Sequence, residues 1–88
     1  MLGENCFVVG GVKFNTCEYW ESFGSEPSGR KYWGFFLYRG NRKNQGHPDE
    51  RAVRFETGEC DWKRAKKKAL KRAEEIGRDY VEVYVVTV

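Results

Sequence analysis

Alanine recurs at every fourth position from Ala65 to Ala73, inside a segment whose remaining residues are mostly charged. At about 100° per residue, Trp62, Ala65, Ala69, Ala73 and Ile76 fall on one helical face. Asp61 stands where an N-cap belongs and Gly77 where a left-handed C′ residue belongs. The pattern predicts a helix from about Asp61 to Ile76. Its small central residues let it lie close to a sheet, while Trp62 and Ile76 fill the ends. A chain of 88 residues forms one domain with a marginal core, so the sheet has to come from the rest of it.

That remainder reads as strands. Cys6–Phe14 is rich in β-formers and is interrupted by Gly10-Gly11, a bulge or bend. Thr16–Phe23 reads as extended, either continuing the first strand or forming a second. Gly24–Gly29 is a turn cluster. Lys31–Arg39 is aromatic throughout and is the strongest strand. Arg51–Thr57 alternates, and Tyr80–Val88 is the last strand. The fold expected is α+β: a mainly antiparallel sheet of four or five strands with one amphipathic helix on one face, in β-β-β-α-β order. Aromatics make up 16% of the residues and supply a core that so short a chain would otherwise lack.

A hairpin closed by Gly24–Gly29 would pair Phe23 with Arg30 and set Trp20 opposite Trp33. Trp20, Trp33, Phe35, Leu37, Val53, Phe55, Trp62, the three alanines, Val81, Val83 and Val85 then form the core. All five tyrosines fall on the open face of the sheet. A slip of one residue would reverse the assignment for the hairpin.

Several function classes are excluded or disfavoured. The longest apolar runs, such as Phe35–Leu37 and Val83–Val86, are far short of the roughly 18 residues a membrane span needs. The first residues lack the basic and apolar regions of a signal peptide, and an odd count of three cysteines fits a reducing compartment, so a cytoplasmic chain is expected. Cys6, Cys17 and Cys60 form no CxxC pair, and His47 is the single histidine. Neither a metal site nor a disulfide framework is expected. His47 precedes Pro48-Asp49-Glu50, but no nucleophile or second imidazole is in register with it. No enzyme, cofactor or small-molecule substrate is indicated.

Charge is informative by segment. Residues 1–27 carry net −3, residues 28–54 net +5 and residues 61–77 net +4, within a total of +3. On the helix, Lys63, Arg64, Lys67, Lys68 and Lys71 share the arc opposite the alanines. Bases crowd its first half while Glu74 and Glu75 sit in the last turn, the reverse of what the helix dipole prefers. This layout points to nucleic acid held by its phosphates, with Arg42 and Lys43 of the loop Gly40–Glu50 adding contacts. A lysine-rich helix also has a plainer reading, as a solvated face that keeps the protein soluble.

The alternative partner is a protein. Tyr19, Tyr32, Phe36, Tyr38 and Tyr84 would form an aromatic platform, but one carrying Glu21, Glu56 and Glu82 against Arg30 and Arg54. Its net negative charge suits a protein partner better than a nucleic acid. A small adaptor or inhibitor, of the kind phages and plasmids use against host defence enzymes, would act through that face or through the helix.

From Lys31 to Ile76 an aromatic strand is followed by a strand ending Phe55-Glu56-Thr57 and an alanine-bearing helix. Over about half the chain this order resembles the three-stranded, one-helix DNA-binding domains of plant ethylene-response factors and of recombinase arm-binding domains. The resemblance implies a sheet that enters the major groove. The arginine-rich reading strand of those families is replaced here by Tyr32-Trp-Gly-Phe-Phe-Leu-Tyr38.

Overall fold

The computed structural model describes residues 6–40 and 52–86. Along them run β1 (Cys6–Val9), β2 (Val12–Asn15), α1 (Cys17–Phe23), β3 (Arg30–Tyr38), β4 (Val53–Asp61), α2 (Trp62–Glu75) and β5 (Tyr80–Val85). The fold is α+β, as expected, but with two helices rather than one. The five strands form one sheet in the order β1-β2-β5-β3-β4. Three of its pairings are antiparallel, and β2 runs parallel to β5. The loop bases Arg42 and Lys43, together with His47, lie outside the described residues.

α2 forms where its periodicity places it. The Asp61 carboxylate accepts from the Arg64 amide at 2.8 Å, which satisfies one of the free donors of the first turn. At the other end the Arg78 amide donates to the Ala73 carbonyl, and the Gly77 amide to that of Glu74. This pair of bonds is a Schellman closure, and Gly77 supplies its positive φ of 71°. Ala65, Ala69 and Ala73 are fully buried. They hold the helix against the sheet face carrying Phe14, Trp33, Phe35, Leu37, Val81 and Val83.

Residues 17–23 are helical, which corrects the expected strand over Thr16–Phe23. The side chain of Asn15 accepts from the Cys17 amide at 2.8 Å, an Asx turn that starts α1. Gly24, at φ 69°, ends it. Within α1, Tyr19 stacks on Phe23 four residues on, and also on Trp33 of the sheet. The proposed hairpin between Trp20 and Trp33 therefore does not exist. β3 pairs instead with β4 and β5.

Two further details position the faces. Gly10 and Gly11 both have positive φ and form the tight turn between β1 and β2, a hairpin rather than a bend within one strand. Between β3 and β4 the register shifts at Trp33/Gly34, leaving Thr57 as the extra residue of a bulge. β5 is the middle strand, and Tyr80, Val81, Glu82 and Val83 are all buried. Val53, Phe55, Trp62 and Val85 pack at the edge of the core, while Val12, Phe14, Tyr19 and Cys60 join its centre.

Candidate nucleic-acid interface

The outward face of α2 carries Lys63, Arg64, Lys67, Lys68 and Lys71, all exposed. Burial of the alanine row fixes this orientation, since the bases occupy the opposite arc of the same helix. Among the described residues, no carboxylate lies within ion-pair distance of any of these five. Arg72, in the last turn, differs: it meets Glu75 at 3.6 Å. The first turn holds no acid beyond the cap Asp61. Positive potential is therefore concentrated on the N-terminal two-thirds of the helix, where amide dipoles reinforce it.

Lys66 departs from this pattern. It is half-buried, and its ammonium sits 5.6 Å from the Phe7 ring centroid and 5.9 Å from that of Trp62. It thereby joins the helix to a cleft of about 380 Å³ lined by Cys6, Phe7, Thr16, Trp20, Glu26, Pro27, Trp62 and Lys66. Four elements of sequence converge there: β1, α1, the loop 24–29 and the start of α2. Sequence reasoning missed this cleft because it depends on α1. The signals that could have revealed α1 were Asn15 and Gly24 at its two ends and the Tyr19–Phe23 spacing.

The opposite face of the sheet carries Tyr32, Phe36, Tyr38 and Tyr84, as expected. Tyr32 is 45% exposed, whereas Phe36, Tyr38 and Tyr84 are half-buried. Tyr19 does not belong to this face. It is 3% exposed, in the core on the α2 side, because the helical turn of α1 directs it onto Trp33. Tyr80 is on the open face but is buried, and the Asn15 amide donates to its hydroxyl.

Most charges on the open face are matched to one another. Arg54 meets Glu56 at 2.6 Å and Arg30 meets Glu59 at 3.7 Å. The Tyr38 hydroxyl donates to Glu82, which is 3% exposed, at 2.9 Å. Burial raises the Tyr84 phenol above its ordinary pKa, against the opposing pull of the nearby Arg54 guanidinium. Tyr84, first, and Glu56, second, raise Arg54 in turn. Lys13 of β2 shares this face beside Tyr80, exposed and with no carboxylate partner among the described residues. The face thus offers aromatic area with a single unmatched base, where the outer arc of α2 offers a row of them.

The described residues contain no group of three or more His, Cys, Asp or Glu side chains placed to hold a metal ion. They also contain no helix long and apolar enough to cross a membrane. β3, β4 and α2 follow one another in the order on which the resemblance to groove-binding sheets rested. The face such a sheet would present is the aromatic one just described. Compared with models of protein families, with curated proteins and with solved structures, the chain matches none.

Proposed function

We propose that this chain is a non-enzymatic binding module that holds nucleic acid through phosphate contacts along the outer face of α2. The observation that carries the reading is the row of five exposed bases, none with a carboxylate partner among the described residues. Arg30, Arg54 and Arg72 each meet an acid, whereas the five bases of the α2 row meet none among the described residues. An uncompensated row is suited to a polyanion that supplies the missing charges and releases its counterions. Such contacts position a strand without reading its sequence.

Changing Lys63, Lys67 and Lys71 together to Gln tests this. Gln keeps helix propensity, and all three side chains point to solvent, so the fold is retained. The expected result is weaker binding to any nucleic acid, with the slope of log affinity against log salt reduced by about one unit per lost contact. Unchanged affinity and slope would end the reading.

A second reading, a protein-binding adaptor or inhibitor, is favoured by the aromatic sheet face, with Tyr32 as its most exposed ring. Under it, a protein partner captured by the wild type survives the triple lysine change and is lost on Tyr32→Ala. Tyr19 takes no part, being buried.

A further inference from the structure

We propose that the cleft between α1 and the first turns of α2 receives one unstacked nucleobase of a single-stranded nucleic acid, an inference that rests on the phosphate-binding reading of α2. Trp20 is the observation that points there. Trp33 and Trp62 each contact two or more aromatic rings. Trp20 is half-buried, lines the cleft and has no ring partner among the described residues. Phe7 and Trp62 line the same cleft, in contact with each other at 6.5 Å between centroids. Trp20 is thus an indole without an aromatic neighbour in a cleft that two further rings line, and it gives a base one ring to stack on.

Size and charge narrow the ligand. About 380 Å³ falls within the roughly 300–1,000 Å³ of small-ligand sites and accommodates a flat heterocycle. Lys66, in the cleft wall, is flanked in sequence by Lys67 and is one helical step from Lys63. The row of bases therefore continues from the helix surface into the cleft. A phosphate attached to the stacked base would meet Lys66, and the adjoining backbone would follow Lys63 and Lys67. The exposed Glu26 carboxylate lines the cleft and can accept from an exocyclic amino group, which cytosine and adenine carry and thymine does not. A duplex keeps its bases stacked and paired, so it can use the outer lysines but not the cleft. Single strands are recognised by this combination of a basic track and aromatic stacking positions.

The test compares wild type, Trp20→Leu and Trp20→Phe for binding to short oligodeoxycytidine, oligothymidine, a blunt duplex and free cytidine monophosphate. Leu keeps apolar volume without a π face, and Phe restores a ring. Melting temperature and circular dichroism confirm that each variant is folded. The expected result is a loss of about 5- to 100-fold in single-strand affinity for Trp20→Leu, largely restored in Trp20→Phe. Duplex binding and the salt slope stay unchanged, and oligodeoxycytidine binds better than oligothymidine. Equal losses on single strand and duplex, or no loss on either, would overturn the base slot. So would mononucleotide binding as tight as that of the strand, which would make the cleft a free-nucleotide site. If the lysine triple variant still lowers affinity and salt slope while Trp20→Leu does nothing, only the cleft inference fails. If wild type binds no nucleic acid, the α2 reading fails and takes the cleft inference with it.

Discussion

The ring of Tyr84 lies across Gly34, so close that a Cβ on Gly34 would stand 2.5 Å from the phenol carbon Cζ. The two residues are direct partners across β5 and β3. Tyr84 also stacks on Phe36 at 4.6 Å, and the Arg54 guanidinium sits 5.6 Å from its ring centroid. Glycine normally weakens a strand by leaving nothing to pack. Here the missing side chain is the space that the tyrosine occupies, as in aromatic rescue of a strand glycine.

Gly34→Ala therefore forces Tyr84 out of its position. The expected cost is about 1–3 kcal/mol in chemical denaturation, the usual range for overpacking. Tyr84→Ala opens the space, so the double variant Gly34→Ala/Tyr84→Ala should lose less than the sum of the two single losses. Strict additivity would show that the ring does not sit on Gly34.

Tyr84 also gives the stability a defined pH dependence. Its phenol is raised above 10.0 in the folded chain, first by burial. A raised folded pKa means that the unfolded chain releases its proton first. This contribution to stability is complete below about pH 10 and is lost as the pH rises from there through the folded pKa. Denaturation of wild type and Tyr84→Phe between neutral and alkaline pH should show a steeper decline for wild type. Identical slopes would remove the burial argument.

Tyr19→Ala separates core from surface. A buried ring stacked on Phe23 and Trp33 predicts a loss of about 3–5 kcal/mol. A change near zero would return Tyr19 to the surface and dissolve α1 as described.

Asp61→Ala removes the side-chain acceptor for the Arg64 amide. Loss of the cap should cost about 1 kcal/mol. Asp61→Asn, which keeps an acceptor oxygen, should restore most of it. If Asn and Ala behave alike in thermal melts, the cap bond does not contribute.

The Lys63/Lys67/Lys71→Gln variant should also gain a little stability. Lys63–Lys67 and Lys67–Lys71 are like-charge pairs four residues apart, each costing an isolated helix roughly 0.2–0.5 kcal/mol. The gain should be largest at low salt and fade as screening increases. Higher stability together with weaker nucleic-acid binding is the pattern of residues kept for a ligand. A stability loss would mean that the lysines pack.

The two helices contrast in how much of each could be read along the chain. For α2, the alanine period, Asp61 and Gly77 all sit within one short window, and each acts on neighbours a turn away. The orientation of Lys63, Arg64, Lys67, Lys68 and Lys71 followed from the same window. α1 has only seven residues, too few to be stable as an isolated helix. Its Tyr, Trp and Phe are residues that strands also favour. What decides its conformation is the stacking of Tyr19 on Trp33, a residue fourteen positions away and on another element.

The sheet divides along the same line. Side-chain alternation in β3 correctly separated Trp33, Phe35 and Leu37 from Tyr32, Phe36 and Tyr38, because the two faces of a strand are a property of the strand itself. Which strands pair is not. Residues Tyr80–Val85 insert between β2 and β3 and become the most buried strand, parallel to one neighbour and antiparallel to the other. That placement depends on closing loops across most of the chain, and no local signal encodes it. The sequence by itself thus determined α2, its caps, its basic face and the two sides of β3, all of which arise from short-range periodicity and backbone capping. Only the tertiary structure decided α1, the strand order, the burial of Tyr19 and the cleft beside Trp20, because each requires segments far apart in the chain to exclude water from one another.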